Sequence, residues 1–139
     1  YPDTTRRKET TMKQSKPFLS LLFVSLLAAC ASQGPKISSP ARLNDGVLVS
    51  NNGMTLYTFD KDNYGGGTSA CNGQCAINWP PLLVADGEAA AGDYSIFKRE
   101  DGRKQWAFKG RPLYFWSKDQ QPGDRTGDGF NKLWRVARP

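Results

Sequence analysis

The sequence predicts an all-β or β-dominated fold, namely a small antiparallel domain built from two sequence-related repeats. Three observations predict it. One ten-residue stretch occurs twice, short apolar runs alternate with Gly, Pro, Asn and Asp turns, and no run has the periodicity of an amphipathic helix. Four Trp, five Tyr and seven Phe supply large apolar side chains for the core of a chain of 139 residues.

The N-terminal 29 residues have the pattern of an export signal. Residues 1–11 are polar, and Met12 is the expected translational start of a short basic segment followed by an apolar run over 18–29. Such a run suits the core of a signal peptide and is too short to span a membrane. It ends at Leu27-Ala-Ala-Cys30, which resembles the lipobox of bacterial lipoproteins, whose cysteine is acylated. The alternative is an ordinary signal peptide cleaved near Ala29.

Acylation of Cys30 would anchor the protein in the membrane of the bacterial cell envelope. Residues 30–42 form a polar stretch with Ser and Pro, which predicts a flexible tether behind the acylated cysteine. Ala31, directly after this cysteine, resembles the residue found in lipoproteins of the outer membrane. In a Gram-negative host we therefore expect the outer membrane, on its periplasmic side or at the surface.

The charge of the exported part is mild. Residues 1–29 carry five of the 19 Lys and Arg and two of the 13 Asp and Glu, so 14 positive and 11 negative side chains remain. A dispersed net charge of this size argues against a nucleic-acid partner. The remaining residues suffice for one domain, predicted over 43–139 with repeats at about 43–85 and 93–139.

Turn residues separate the predicted elements of the first repeat. Val47–Val49 predicts a short strand, and Asn51-Asn52-Gly53 predicts a hairpin turn into the next one. Three glycines at 65–67 predict a loop, and Trp79-Pro80-Pro81 predicts a rigid corner anchored by the tryptophan. A linker over 86–92 then leads to the second repeat.

The second repeat is richer in strands. Residues 94–97 and 105–108 flank a turn and predict a hairpin, and Leu113–Trp116 predicts a further strand. A loop rich in Gly and Asp covers 121–129, and Leu133–Val136 predicts the final strand.

The repeated stretch occupies residues 53–62 and 110–119. The copies are identical at five of ten positions without a gap, which predicts a duplicated unit whose copies pack on each other. Strand alternation places Leu56 and Tyr57 on opposite faces. We expect Tyr57 and Tyr114 to occupy equivalent buried sites near a pseudo-twofold axis, although aromatic residues could also line a sugar or peptide platform.

Each copy also ends in an aspartate. Because a carboxylate past a strand end can accept N–H groups of a turn, we expect each aspartate to cap the loop that follows it. The equivalent motif residues are Tyr57, Phe59 and Asp62 in the first copy, and Tyr114, Trp116 and Asp119 in the second.

The motif and its surroundings resemble the bacterial predicted lipoproteins with the Yx(FWY)xxD motif, the secreted repeat of unknown function. The matching stretches cover nearly all of 43–139: residues 55–62, 71–81, 101–106, 110–114 and 122–129, and Trp134. The family has no established activity, so the resemblance implies a fold and a location in the cell envelope and no reaction. Members often carry His after the last Trp, where this chain has Arg135, so no metal or haem role is implied through that position.

Cys71 and Cys75 remain after Cys30 is assigned to the lipid. In an exported protein their pairing predicts a structural disulfide, which closes a short loop and contributes about 2 kcal/mol on the chain-entropy model. A redox-active pair is the alternative, although three residues separate the two cysteines and no βαβ pattern surrounds them. Two thiolates without histidine make an incomplete zinc site.

The sequence contains no histidine, the usual general base and the commonest transition-metal ligand. Asp124 and Asp128 lie in a Gly-rich loop and are weak candidates for calcium, as are Asp60 and Asp62, but their spacing matches no EF-hand. The sequence thus predicts no cofactor, no metal site and no catalytic residue.

Together these features predict an envelope-anchored lipoprotein that acts as a non-catalytic binding or structural module. We expect the membrane as its partner, through the lipid on Cys30, together with an envelope protein or glycan. The alternative is a periplasmic or extracellular protein with a redox or Ca²⁺-binding role, using the Cys71–Cys75 pair or the Asp-Gly loops.

Overall fold

The computed structural model describes residues 34–139, so the predicted leader and Cys30 lie outside the described residues. Short strands in small, mostly antiparallel sheets dominate the described chain, which confirms the predicted fold class. Among residues 34–139, no helix has the length and apolar character needed to cross a bilayer. The strands are β1 (Lys36–Ile37), β2 (Ala41–Asn44), β3 (Val47–Ser50), β4 (Tyr57–Phe59), β5 (Glu88–Ala89), β6 (Tyr94–Lys98), β7 (Lys104–Phe108), β8 (Arg111–Pro112) and β9 (Trp134–Val136).

Two hairpins build most of the sheet structure. β2 and β3 pair around Asp45 and Gly46, whose φ angles of 49° and 74° lie in the left-handed region that these residue types tolerate. The predicted turn after β3 is also present, since the Gly53 N–H donates to the Ser50 carbonyl at 2.8 Å. β6, β7 and β8 form an antiparallel three-stranded sheet, in which β6 and β7 are the hairpin that the second repeat predicts.

Strands from distant parts of the chain join the two repeats. β4 pairs antiparallel with β9, so that Thr58 lies opposite Arg135. Tyr57 also faces Tyr114 in an antiparallel bridge, in which the N–H of each donates to the carbonyl of the other at 2.8 and 3.0 Å. This reciprocal bond pair places the expected pseudo-twofold axis between the two tyrosines.

Alternation along the central strands divides the core into two clusters. Leu56 and Tyr57 belong to different clusters, so this stretch is buried on both faces. The aromatic cluster consists of Val47, Val49, Tyr57, Phe59, Cys71, Trp79, Tyr114, Trp116, Trp134 and Val136. The second cluster consists of Ala41, Leu48, Leu56, Leu82, Trp106, Phe108, Leu113 and Ala137.

The predicted tether over residues 30–42 is wrong from Lys36 onward. β1 pairs in parallel with β5, and the Lys36 N–H donates to the Gly87 carbonyl at 2.9 Å. Ala41 is 4% exposed and belongs to the core. Because a β ladder bonds through the backbone, a polar stretch can join it without an apolar pattern that the sequence would reveal. The predicted linker over 86–92 supplies β5 for the same reason.

The strand predicted over Leu113–Trp116 does not form, which corrects the prediction. β8 ends at Pro112, and beyond it Tyr114 makes isolated bridges to Tyr57 and Pro81. The side chains of this stretch enter both cores, which explains its apolar pattern without a continuous ladder. Two short helical segments occur that the sequence did not predict, α1 at Gln74–Asn78 and a 3-10 turn at Phe130–Lys132.

Candidate functional site

The two copies of the motif exchange hydrogen bonds across the pseudo-twofold axis. The Tyr57 hydroxyl donates to Asp119 Oδ2 at 2.6 Å, and the Tyr114 hydroxyl donates to Asp62 Oδ2 at 2.7 Å. All four side chains are buried, and both tyrosines are 0% exposed. We call these four residues the motif centre. The sequence predicted the burial of the tyrosines and did not reveal that each bonds the aspartate of the other repeat.

The second oxygen of each aspartate holds the loop that follows its strand. Asp62 Oδ1 accepts the Ala70 N–H at 2.8 Å. Asp119 Oδ1 accepts the Thr126 N–H at 3.0 Å and the Thr126 hydroxyl at 2.6 Å. This agrees with the predicted capping role. Each carboxylate thus links its own loop to the partner repeat's tyrosine.

Burial controls the protonation of the motif centre. It is the main reason that the pKa values of Tyr57 and Tyr114 lie well above the usual range, and the neighbouring carboxylates raise them further. Burial also raises the pKa of Asp62, against the opposing effects of the Ala70 N–H, the Tyr114 hydroxyl and Arg99. Both tyrosines therefore remain neutral hydrogen-bond donors at physiological pH.

Four aromatic rings form a continuous stack beside the motif centre. In order they are Phe59, Trp134, Trp79 and Trp116, with centroid separations of 4.2, 3.8 and 4.0 Å. The two central tryptophans are parallel to within 3°. Each motif tyrosine packs edge-on against one of them, at 5.4 and 5.1 Å. The stack repeats the pseudo-twofold symmetry, because its outer rings are the equivalent motif aromatics and its inner rings come from equivalent places in the repeats.

A glycine that the sequence does not single out fits tightly against this stack. A Cβ atom at Gly127 would lie 2.7 Å from Cη2 of Trp79 and 3.0 Å from Cγ of Trp116. The Gly127 N–H also donates to the Tyr57 hydroxyl at 3.3 Å. The residue type at this position is therefore set by tertiary packing, which a single sequence does not show.

Sequence reasoning also missed Arg99, which is 3% exposed. Its guanidinium donates to Gln105 Oε1 at 2.6 Å, to the Cys71 carbonyl at 2.7 Å and to the Ser69 hydroxyl at 3.1 Å. The Ser69 hydroxyl is 2.7 Å from that of Tyr114, so the network extends to the motif centre. An arginine beside a predicted hairpin turn gives no sequence signal of burial.

Cys71 and Cys75 have their sulfur atoms 2.06 Å apart, which supports the predicted disulfide. Cys71 is buried in the aromatic cluster and Cys75 packs against it. The Arg99 guanidinium binds the carbonyl of the first cysteine, so the cross-linked loop is held by the second repeat. This setting is that of a structural cross-link.

The candidate calcium ligands Asp124 and Asp128 accept hydrogen bonds from backbone N–H groups. Asp124 Oδ2 accepts the N–H groups of Gln120 and Gln121 at 2.9 and 3.1 Å, and Asp128 Oδ1 accepts the Val136 N–H at 3.0 Å. No group of three or more His, Cys, Asp or Glu side chains within residues 34–139 is placed to hold a metal ion. These aspartates act as turn and strand caps.

All six predicted motif residues thus meet at one place, the boundary between the repeats, and all are buried. Their polar atoms bond to one another and to the loops they cap. Cys30 lies outside the described residues. The motif centre can align and hold two loops, and it offers no exposed group to a substrate.

A family model described as a secreted repeat of unknown function matches twice, at residues 41–83 and 95–138. The search of curated proteins and the search of solved structures find no match. The two matched segments agree with the two repeats that the sequence predicts.

Truncation of either motif tyrosine should destabilise the domain. We expect Tyr57→Ala and Tyr114→Ala each to lower the free energy of unfolding by about 3 kcal/mol or more, because each leaves a cavity and an unpaired buried carboxylate. Thermal denaturation followed by circular dichroism measures the change. Tyr94→Ala, at a partly buried residue outside the motif, is the control. An unchanged melting temperature in either motif variant would contradict the core assignment, and clearly unequal shifts would contradict the symmetry.

The raised tyrosine pKa values also predict an alkaline transition. An acid whose folded pKa is raised contributes stability that is complete below its unfolded pKa, about 10 for tyrosine, and is lost as pH rises above it. We therefore expect Tyr57 and Tyr114 to ionise only together with unfolding. Absorbance at 295 nm during alkaline titration counts the ionised tyrosines, and circular dichroism on the same sample reports the fold. Ionisation of these two residues in the folded protein, identified with Tyr57→Phe and Tyr114→Phe, would contradict the prediction.

Proposed function

The chain belongs to the family of secreted repeats of unknown function, and we propose that it is a lipid-anchored, non-catalytic binding or structural module of the bacterial cell envelope. In this proposal the lipid on Cys30 binds the membrane, and the exposed face of the domain binds an envelope protein or glycan. Neither a nucleic acid nor a cofactor takes part.

The observation that carries the proposal is the use of the motif. The tyrosines and aspartates that define the repeat form hydrogen bonds with one another, and both Tyr–Asp bonds lie inside the core. A catalytic group must reach its substrate, and these groups do not reach the surface. The motif therefore supports a scaffold, and binding is left to the surface loops that the scaffold holds.

The structure supplies a second support through the position of β1. Because β1 begins at Lys36, only the chain from Cys30 to Lys36 separates the acylated residue from the folded domain. Six residues span at most about 20 Å when fully extended. A domain attached in this way works close to the membrane surface, and its ligand is expected there.

Lipid attachment is tested by metabolic labelling with a radioactive fatty acid. We expect the wild-type chain to incorporate the label and to sediment with membranes, and Cys30→Ser to accumulate as a longer, unlabelled precursor. Cys30 has a matched control in Ser32→Ala, which changes a nearby polar residue and should label normally.

The binding role is tested in the same strains by mild crosslinking followed by purification from membranes. We expect a discrete crosslinked species that is reduced in Cys30→Ser, because the unprocessed precursor lacks the lipid that holds the mature domain near its partner. Normal labelling of Cys30→Ser would contradict the lipoprotein assignment. Turnover of a substrate by the purified domain would contradict the non-catalytic one.

A further inference from the structure

The outer face of the β4–β9 pair carries polar side chains, in contrast to its aromatic inner face. Thr58 and Arg135 are direct cross-strand partners on this pair. Their neighbours Tyr57, Phe59 and Trp134 point into the aromatic cluster, so alternation turns Thr58 and Arg135 to the other side. This outer face lies where the two repeats meet.

A cavity of about 300 Å³ opens on this face. Side chains from five parts of the chain meet in it: β4, the loop after β4, β8, the loop over 121–129 and the C-terminal segment from β9 onward. Its lining includes three arginines, Arg111, Arg135 and Arg138, and the aromatic side chain of Tyr64. Arg111 and Arg138 also line a second, neighbouring cavity together with Lys109.

Positive charge exceeds negative charge in the first cavity. Asp60 and Asp128 also line it. Asp60 is paired with Arg135 at 3.3 Å, and Asp128 accepts a backbone N–H. Within residues 34–139, neither Arg111 nor Arg138 has a carboxylate within 4.0 Å. Two guanidinium groups therefore face the cavity without a charged partner.

Part of this arrangement is held in place in advance. The Arg111 guanidinium lies over the Tyr64 ring at 5.0 Å from its centroid, a cation–π contact that restricts the long side chain. Arg138 Nη1 donates to the Gly46 carbonyl at 3.3 Å. Ordering a donor before binding lowers the entropy that binding must overcome.

Thr58 adds a hydroxyl donor to the cavity. It is 5% exposed and lines the cavity. No hydrogen bond of its hydroxyl is found in the described part of the chain, so the hydroxyl can donate to a ligand. The cavity thus combines two guanidinium groups that lack a carboxylate partner with a hydroxyl that has none of its own.

We propose that this cavity binds the oxyanionic group, a phosphate or a carboxylate, of an anionic ligand in the envelope. Guanidinium groups bind such oxyanions through paired N–H donors, and the Thr58 hydroxyl donates a further bond. The ligand class rests on the proposed envelope role. The oxyanion is supplied either by a phospholipid headgroup, which the short connection to Cys30 keeps within reach, or by a soluble phosphorylated or acidic compound.

The probe for this site is inorganic phosphate. The full-length mature protein, labelled with ¹⁵N at arginine and kept in a neutral maltoside detergent, is titrated while the side-chain Nε–H resonances are recorded. We expect saturable shifts for Arg111 and Arg138. Arg111→Gln and Arg138→Gln should each weaken phosphate binding about tenfold, the effect of losing a charge-assisted contact. Thr58→Val keeps the buried volume and should weaken binding by a smaller factor.

Arg42→Gln is the matched control, because it removes the same charge from an exposed arginine outside the cavity. It should leave phosphate binding unchanged. Equal weakening by Arg42→Gln would overturn the proposal in favour of general charge attraction. Shifts of Arg111 and Arg138 that do not saturate, or that follow those of all other arginines, would also overturn it.

Bilayer composition separates the two sources of the oxyanion. With the protein anchored by its own lipid in nanodiscs, shifts of the Arg111 and Arg138 Nε–H resonances that occur with phosphatidylglycerol and are absent with pure phosphatidylcholine support a lipid headgroup. Shifts that occur on addition of phosphate and are absent with phosphatidylglycerol support a soluble ligand. Fatty-acid labelling at Cys30 is read independently of both, so a failure of the cavity proposal is distinguishable from a failure of the envelope assignment.

Discussion

The reciprocal pairing of Tyr57 with Asp119 and of Tyr114 with Asp62 is the constraint on which the rest of the domain depends. Removing one repeat would leave the other with a buried carboxylate and a buried phenol that lack their partners. An unpaired buried polar group costs about 1–3 kcal/mol, and a charged one costs more. Neither repeat can therefore satisfy its own buried polar groups, and the Tyr and Asp of each motif copy need the second copy as hydrogen-bond partner.

The symmetry extends from this pairing into the aromatic stack and ends at the loops. The stack around Trp79 and Trp134 follows the pseudo-twofold axis, whereas the Cys71–Cys75 disulfide lies in the loop of the first repeat only, where Arg99 of the second repeat binds it. A symmetric core with asymmetric loops allows the surface to diverge while the packing stays fixed. The arginine cavity lies on the outer side of the same boundary.

The sequence predicted the features that repeat themselves or alternate. Duplication predicted the axis and the equivalent burial of Tyr57 and Tyr114, and alternation placed Leu56 and Tyr57 on opposite faces, where they enter different clusters. It could not show that the Tyr–Asp bonds cross between repeats, because both pairings satisfy the same local pattern. The buried Arg99 and the β1–β5 pairing were also missed, since each depends on contacts between residues far apart in the sequence.

The most direct test of the central claim is a double-mutant cycle on the cross-repeat pair. The free energies of unfolding of wild type, Tyr57→Phe, Asp119→Ala and the double variant are measured by denaturant titration. Loss of the Thr126 contacts of Asp119 is common to both arms of the cycle and cancels. The cross-repeat bond predicts a coupling energy of about 1–3 kcal/mol. Additivity of the two single changes to within about 0.3 kcal/mol would contradict it.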